Sequence, residues 1–330
     1  EGVYYKMDIY FKEEYANLYK EIEKGEVENF CFENELGKVV FIYIKREIIL
    51  DNIKYYDIIT PYGYGGPLIQ NCIYENRDKL ISLFWEKFLE YAFLNKIICS
   101  FVRFHPIEKN YEYCRDIMIS ERISSTVCID LKSEEQIWND ISSKCRNIIR
   151  KSIKNNVLVQ EDENLKRIND FQNLYYDTMK KNSADEYYFF KKEFFEKLRS
   201  LKRKEITHFY ALHDNKIVSS ILVLMGDEYL HYYLSANSQE GYSLNANSLL
   251  LYEIAKYGLK KGYKYFHLGG GYGGDDSPLF KFKSSFHKNH TLSFYIGKKI
   301  FDQKIYDELC QKAGINDRDV NYFPLYRYKK

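Results

Sequence analysis

The most informative segment of the chain is residues 267–286, His-Leu-Gly-Gly-Gly-Tyr-Gly-Gly-Asp-Asp-Ser-Pro-Leu-Phe-Lys-Phe-Lys-Ser-Ser-Phe. It begins as an apolar strand, continues with five glycines in the six positions of Gly269–Gly274, and ends with two lysines. Glycine loses more conformational entropy on folding than any other residue, so this loop is costly for a simple turn. The segment therefore predicts a site where something approaches the backbone closely.

Two nucleotide-binding motifs fail at this loop. Gly269, Gly271 and Gly274 have the G-x-G-x-x-G spacing of dinucleotide-binding folds. However, Asp275 and Asp276 follow at once, where a pyrophosphate needs amide donors and the start of a helix. The same two aspartates stand where a P-loop requires its lysine and its serine or threonine. Both motifs are therefore excluded.

Composition predicts a globular protein without a dominant charge. The 330 residues favour about two domains. The 49 basic and 47 acidic residues give a net charge of +2, so no global field would attract nucleic acid or an anionic membrane. The sequence has no apolar run of bilayer length and no signal segment, which predicts a cytoplasmic location.

Cysteine and histidine patterns predict neither a nucleophile nor a metal. The seven cysteines include no C-x-x-C pair, and reduced thiols are the expected state. The seven histidines show no H-E-x-x-H or other ligand spacing, so the expectation is no metal.

Hydrophobic periodicity predicts two α/β halves. In the first half, short apolar runs predict strands and a 3.6-residue period predicts a helix, at 30–33, 39–45, 55–59, 79–93 (helix) and 97–103. In the second half, the pattern restarts with three strands, an apolar helix and a further strand, at 207–212, 217–225, 229–234, 246–261 (helix) and 263–268. The repeated order predicts the α/β (α+β) class with two related units and mixed central sheets.

The two predicted halves are joined by a helix. Ser133-Glu-Glu-Gln136 has the capping-box pattern, so a helix should begin there. Apolar residues at 138, 141, 145 and 148 recur at helical spacing and predict that it continues past Cys145. The predicted domains are 1–132 and 133–300, with a tail at 301–330 that packs back on the body.

Four segments together resemble the FemAB-like branch of the GNAT acyltransferases. They are Thr-Pro-Tyr-Gly-Tyr-Gly-Gly-Pro at 60–67, the strand at 126–131, the helix with the core Arg-Asn-Ile-Ile-Arg-Lys at 146–151, and Leu-Phe-Lys-Phe-Lys-x-x-Phe at 279–286. The resemblance spans most of the chain. It implies two tandem GNAT-like domains and transfer of an aminoacyl or acyl group to an amine.

The resemblance implies catalytic residues near the glycine loop. Lys283, in the Phe-Lys pair, is the first candidate to stabilise charge near the transferred acyl group, and Lys281 is the alternate. On a strand the two lysines would share a face, whereas on a helix they would not. Asp275 is a candidate to hold the acceptor ammonium and accept its proton, or it terminates the loop as a turn former.

Candidate acceptor contacts come from both halves. The basic residues Arg146 and Arg150 lie four apart on one helix, and in the family this helix holds the phosphates of the acceptor. Alone, such a run is usually a solvated face. Further candidates lie at or beside the two glycine-rich loops: Tyr62, Tyr64, Arg103, His105 and Tyr272.

The donor is an aminoacyl-tRNA or an acyl-CoA used as a co-substrate, with no tightly bound cofactor. GNAT enzymes that use acetyl-CoA carry a Gln/Arg-x-x-Gly-x-Gly/Ala turn, whose amides bind the pyrophosphate. The corresponding residues 239–247, Gln-Glu-Gly-Tyr-Ser-Leu-Asn-Ala-Asn, depart from that pattern, which favours aminoacyl-tRNA. Asn245 and Asn247 are the candidate donor contacts.

Three functions remain open from the sequence. The first is acyl transfer to an amine on a nucleotide- or lipid-linked peptidoglycan or surface-polysaccharide precursor, with the acceptor end of an aminoacyl-tRNA as a partner. In this case the only membrane contact would be through a lipid-linked substrate. The second is acyl-CoA-dependent modification of a nucleotide-linked amino sugar. The third is a catalytically silent GNAT-fold binding module.

Overall fold

The structure is a computed structural model that describes residues 6–201, 204–271, 273–315 and 320–328. These residues form twelve strands and ten α-helices. The strands are β1 (Gly25–Asn34), β2 (Gly37–Leu50), β3 (Ile53–Ile59), β4 (Leu68–Gln70), β5 (Ile97–Arg103), β6 (Ile119–Asp130), β7 (Leu158–Asp162), β8 (Ile206–His213), β9 (Lys216–Met225), β10 (Tyr229–Asn237), β11 (Tyr265–Gly269) and β12 (Thr291–Ile300). The helices are α1 (Glu13–Tyr19), α2 (Arg77–Leu94), α3 (Glu134–Asp140), α4 (Ser143–Lys154), α5 (Ile168–Lys181), α6 (Lys192–Leu198), α7 (Gln239–Ser243), α8 (Ala246–Lys261), α9 (Pro278–Ser284) and α10 (Gln303–Lys312).

The described residues divide into two compact units. The first holds 10–123 and the described part of 293–330, and the second holds 6–9 and the described part of 124–292. These limits differ from the domains expected at 1–132, 133–300 and 301–330, because residues 293–300 lie with the first unit, where β12 pairs with β5. The domain assignment itself stays a proposal.

The first unit is a mixed sheet between helices. Strands β1, β2 and β3 pair antiparallel, β3 pairs parallel with β5, and β5 pairs antiparallel with β12. Helix α2 makes the crossover to β5 and buries Phe84 and Phe88 in the core on one side. Since alternate strand residues face opposite sides, Ile98 packs instead with Tyr306 of α10.

The second unit has the strand order β6-β11-β10-β9-β8-β7. Strands β8, β9 and β10 form an antiparallel meander, and β10 pairs parallel with β11. Helix α8 packs on one face through a cluster that includes Leu250 and Ile254. Its predicted bounds are confirmed, and Gly262 ends it with φ +83° in the left-handed region that favours glycine.

The single helix predicted to begin at Ser133 and pass Cys145 is wrong, because the structure contains two. Ser133 caps α3 as predicted, through a hydrogen bond from the amide of Gln136 (3.1 Å). The backbone then turns extended at Ile141, and Ser142 caps α4 by accepting from the amide of Cys145 (3.3 Å). A second serine cap therefore interrupts an apolar pattern that would otherwise continue.

The α/β class with mixed sheets in two units is confirmed. None of the described helices combines the length and the apolar character needed to span a bilayer.

Candidate active site

The two lysines of the predicted catalytic segment lie on a short helix. Ser277 accepts a hydrogen bond from the amide of Phe280 (3.1 Å), and Pro278 follows at the first helical position. Because residues two apart on a helix face different directions, Lys281 is exposed whereas Lys283 is 5% exposed. The structure therefore separates the two candidates and places only Lys283 inside the protein.

Lys283 is buried, and no acidic side chain in the described part of the chain pairs with it. Its Nζ donates a hydrogen bond to the carbonyl oxygen of Gly270 (2.6 Å) and lies 4.8 Å from the ring centroid of Tyr232. Burial disfavours the ammonium form and lowers the pKa of Lys283 to about 7. Near neutral pH a fraction of Lys283 is therefore deprotonated, whereas an ordinary lysine stays almost fully protonated.

The glycine loop is folded tightly against its own unit. A Cβ at Gly270 would lie 3.0 Å from the carbonyl oxygen of Ser125. A Cβ at Gly271 would overlap Ser277 at the start of α9. These glycines therefore allow the backbone of the loop to contact β6 and α9, which brings the carbonyl of Gly270 to Lys283.

Asp275 fastens this loop to β6. Its carboxylate accepts hydrogen bonds from the backbone amide of Ser125 (2.6 Å) and from the Ser125 hydroxyl (2.9 Å). The arrangement fits the loop-terminating role that the sequence left open for Asp275. Tyr272, a predicted substrate contact, lies outside the described residues.

Strands β10 and β11 separate beside Lys283. Their pairing covers three residue pairs and ends at His231 and His267, and β10 has a register shift between Tyr232 and Leu234. Tyr232, which follows the last pair, donates a hydrogen bond from its hydroxyl to Ser235 Oγ. The sequence analysis missed Tyr232, because a tyrosine in an apolar strand carries no signal that distinguishes it from a core residue.

The two predicted donor contacts lie at the start of α8. Asn245 has φ +55° and precedes the helix without giving it a side-chain cap. Asn247 lies beside Tyr232, and its Oδ1 is buried with no hydrogen-bond partner among the described residues. Tyr232 therefore connects the candidate donor contact Asn247 to the candidate catalytic lysine Lys283.

The segment before α8 is not an open turn. Residues 239–243 form the short helix α7, and the amide of Gly241 donates to Ser238 Oγ (2.9 Å). A Cβ at Gly241 would overlap the carbonyl oxygen of Val218 on β9. Gly241 therefore allows α7 to pack closely on the sheet, and its missing side chain leaves no space for a ligand.

The two arginines of α4 have different surroundings. Arg146 Nη1 donates to the carbonyl oxygens of Trp138 (3.2 Å), Asn139 (3.3 Å) and Ile141 (2.7 Å), and so stabilises the end of α3. Arg150 is exposed, and its guanidinium lies 5.0 Å from the Trp138 ring centroid. Of the two, Arg150 has the more accessible charge.

The remaining candidates lie in the first unit. In the loop 60–67, the Tyr62 carbonyl accepts from Tyr15 (2.5 Å), and the Tyr64 ring packs 5.1 Å from that of Tyr10. Gly63 has φ +90°, and a Cβ there would overlap Tyr10. The aromatic side chains of this unit therefore already occupy the space beside the loop.

Arg103 and His105 support the same loop. Arg103 Nη1 donates to the carbonyl oxygen of Thr60 (2.9 Å), while its guanidinium remains partly exposed. His105 is fully buried, and its Nδ1 accepts from the amide of Glu108 (3.2 Å). Arg103 thus retains some access to solvent, whereas His105 has none.

Comparisons with known proteins agree with this architecture. Residues 143–283, from the start of α4 to the buried lysine, match the family described as an Acetyltransferase (GNAT) domain. No curated protein sequence matches the chain. The similarity to a GNAT domain therefore covers residues 143–283, which is less than half of the chain.

Solved structures share the fold of most of the chain. FemX superposes with a TM-score of 0.67 at 13% identity, covering 89% of this chain and 92% of that one. A C-terminal domain (DUF2156) assigned to a lysylphosphatidylglycerol synthetase from Agrobacterium fabrum gives 0.57 at 14% identity, over 89% and 88%. L-PGS from Bacillus licheniformis gives 0.56 at 11%, over 96% and 100%. The fold is FemAB-like, as the sequence resemblance implied.

Proposed function

We propose that the chain is an N-acyltransferase that moves an aminoacyl group from an aminoacyl-tRNA to an amine on a cell-envelope precursor. The observation that carries this proposal is Lys283, a buried lysine with no acidic partner among the described residues, inside the segment that matches a GNAT domain. FemX and the lysylphosphatidylglycerol synthetase domain share the fold, which supports a substrate of the cell envelope.

The chemistry needs a group that stabilises negative charge on the carbonyl oxygen. The acceptor ammonium first loses one proton to water, and its nitrogen then forms a bond to the ester carbonyl carbon, which places the negative charge on the carbonyl oxygen. As the ester C–O bond breaks, a second proton passes from the attacking nitrogen to the leaving oxygen, and the amide product forms. Lys283, moved from the Gly270 carbonyl, would donate a hydrogen bond to the oxyanion that develops between these steps.

The region before α8 supports tRNA over CoA as the donor. Helix α7 and the packed Gly241 occupy the place of the turn whose amides bind pyrophosphate in acetyl-CoA-dependent enzymes. The observation that favours CoA is the beginning of α8, where the side chain of Asn245 does not cap the first-turn amides. An acyl-CoA-dependent enzyme acting on an amino sugar is therefore the second candidate.

Replacing Lys283 tests the catalytic proposal. Transfer of a labelled amino acid from aminoacyl-tRNA to an amine-bearing envelope precursor should fall about 10²- to 10³-fold in Lys283→Ala, with little change in acceptor affinity. Lys281→Ala is the matched control, because Lys281 lies on the same helix and is exposed. Equal turnover of the two variants would contradict the role of Lys283.

Calorimetric titration with coenzyme A separates the donors. We expect no micromolar binding by the folded protein if aminoacyl-tRNA is the donor. Micromolar binding that weakens in Asn247→Ala would instead support acyl-CoA and the amino-sugar acceptor.

A further inference from the structure

Two histidines and two aspartates converge in the second unit, just after α9, and have no role in the proposed transfer. His287 and His290 lie in the connection between α9 and β12. Asp130 ends β6, and Asp140 ends α3. The residues come from three separate elements, so their convergence is a product of the fold rather than of local sequence spacing.

The side-chain atoms of the cluster lie close together but lack hydrogen-bond geometry. His290 Nδ1 lies 2.7 Å from Asp130 Oδ1, and His287 Nε2 lies 3.3 Å from Asp140 Oδ2 and 3.8 Å from Asp130 Oδ2. However, Asp130 Oδ1, Asp140 Oδ2 and His290 Nδ1 are buried without a correctly oriented hydrogen-bond partner in the described part of the chain. Buried polar atoms in this state usually have a ligand, an ion or a water as their partner.

The charge of the cluster favours a cation. Two carboxylates carry two negative charges, and Lys132, whose Nζ lies 3.5 Å from Asp130 Oδ2 and whose side chain is 75% exposed, offsets one of them. With neutral imidazoles, a net negative charge remains beside four donor atoms. A divalent cation neutralises this charge while using both nitrogen and oxygen donors.

The backbone holds the cluster in place. The amide of Cys128 on β6 donates to the carbonyl oxygen of His290 (3.1 Å). At the other end of the connection, the amide of Ser142 donates to the carbonyl oxygen of Ser285 (2.8 Å). The imidazoles are therefore positioned beside the aspartates by hydrogen bonds that do not depend on an ion.

We propose that Asp130, His287 and His290, whose ligand atoms lie within 4.8 Å of one another, bind one Zn²⁺ ion, with Asp140 beside His287 as the fourth ligand. Tetrahedral coordination with bonds of about 2.1 Å separates ligand atoms by about 3.4 Å. The distances from His287 Nε2 to Asp140 Oδ2 (3.3 Å) and to Asp130 Oδ2 (3.8 Å) lie near that value, whereas His290 Nδ1 and Asp130 Oδ1, 2.7 Å apart, would separate slightly on binding the ion. A pocket of about 310 Å³, lined in part by Asp140, His287 and Lys288, gives the ion a route from solvent. The sequence argument against a metal considered only contiguous motifs, and Asp130 is distant from both histidines.

Titration of the chelator-treated full chain with Zn²⁺ tests this site. We expect one ion per chain and an affinity that falls at least about 100-fold in His290→Ala, since loss of even an outer-sphere partner commonly costs about 10- to 100-fold. Co²⁺ in place of Zn²⁺ should give the intense visible absorption of a four-coordinate site. Zn²⁺ should also raise the Tm of the wild-type chain and leave that of His290→Ala unchanged.

His213→Ala is the matched control. His213 Nδ1 lies 2.6 Å from Glu240 Oε1, so it is another histidine beside a carboxylate, but it is partly exposed and has no second histidine. Should His290→Ala fail to fold, Asp140→Asn supplies a milder change at the edge of the pocket and should still weaken binding. Absence of one-to-one binding in the wild type, or equal affinity in wild type and the folded cluster variant, would overturn the proposal.

Discussion

Asp57 in the first unit and Lys283 in the second are both buried charged residues, but their surroundings differ. Asp57 is 1% exposed and accepts hydrogen bonds from Arg46 (2.6 Å), Arg327 (2.6 Å) and Tyr326 (2.8 Å). Lys283 is 5% exposed and donates to one neutral carbonyl oxygen. Ion pairs and hydrogen bonds offset the desolvation cost of a buried charge. A buried charge without such partners destabilises the fold, and residues of this kind are concentrated at functional sites.

The Asp57 cluster joins distant parts of the first unit. Arg46 comes from β2 and Asp57 from β3, while Tyr326 and Arg327 follow α10 near the end of the chain. Burial raises the pKa of Tyr326, so its hydroxyl stays protonated and donates to Asp57. The network therefore fastens the terminal segment to the sheet.

The largest effect on stability should follow from neutralising Asp57. Asp57→Asn removes the closer of the two carboxylates paired with the buried Arg46 and leaves only Glu23 at 3.4 Å, which costs about 3–5 kcal/mol of unfolding free energy. Denaturant unfolding measures this loss. Glu26→Gln is the control, because Glu26 is exposed and pairs with Lys20 at 3.3 Å, and it should change stability by less than about 0.5 kcal/mol. Similar losses of unfolding free energy in both variants would show that the buried carboxylate of Asp57 contributes no more to stability than an exposed one.

An intermediate effect should follow from removing one donor to Asp57. Tyr326→Phe deletes the 2.8 Å hydrogen bond and keeps the ring, so we expect a loss of about 1.5–3 kcal/mol. Tyr322→Phe, at an exposed tyrosine of the same segment, should be close to neutral. If Tyr326→Phe were also neutral, Arg46 and Arg327 alone would account for the stability of the network.

At Lys283, removal of the buried charge should increase the unfolding free energy near neutral pH, which is the opposite of the effect at Asp57. Its pKa is about 7 in the folded protein and about 10.4 in the unfolded chain, so between these values the unfolded state binds more protons. Burial of the ammonium therefore costs most below pH 7, and stability recovers as pH rises toward 10.4 by up to about 1.4 kcal/mol per pH unit. Lys283→Met should be more stable than the wild type at about pH 6, with a difference that shrinks by about pH 9. A variant equally destabilised at both pH values would show that Lys283 is a structural residue.

The smallest effect should be at the neighbouring lysine. Lys281→Met removes an exposed charge from the same helix, so the unfolding free energy should change by less than about 0.5 kcal/mol at either pH. Unfolding curves for the two methionine variants, measured side by side, would isolate burial as the cause of the difference. A pH-dependent change in Lys281→Met would weaken that conclusion.

Most of the secondary structure could be predicted from local pattern. The strand at 97–103 and the helix at 246–261 have the predicted bounds, because each is a continuous apolar segment with a clear stop signal. The break between α3 and α4 was not predicted. Besides the Ser142 cap, it contains hydrogen bonds from Arg146 to three carbonyl oxygens, which only the folded helix pair brings within reach.

The candidate site could be predicted in part. The Phe-Lys pair identified Lys283, but whether Lys281 shared its role depended on a helix or a strand forming there. Tyr232 could not be found, since its contact with Lys283 joins β10 to a helix that follows about fifty residues later. The assignment of the other candidate contacts remains a prediction.

The sequence by itself determined the α/β class, the glycine loop and the resemblance to the FemAB-like branch, because periodicity and motifs are properties of neighbouring residues. Tertiary structure alone decided which lysine is buried, which aspartate is surrounded by arginines and which histidines face an aspartate. Burial and charge pairing depend on residues far apart in the chain, and they set the pKa of Lys283 and the environment of Asp57. The chemistry of both sites is therefore a consequence of packing rather than of residue type.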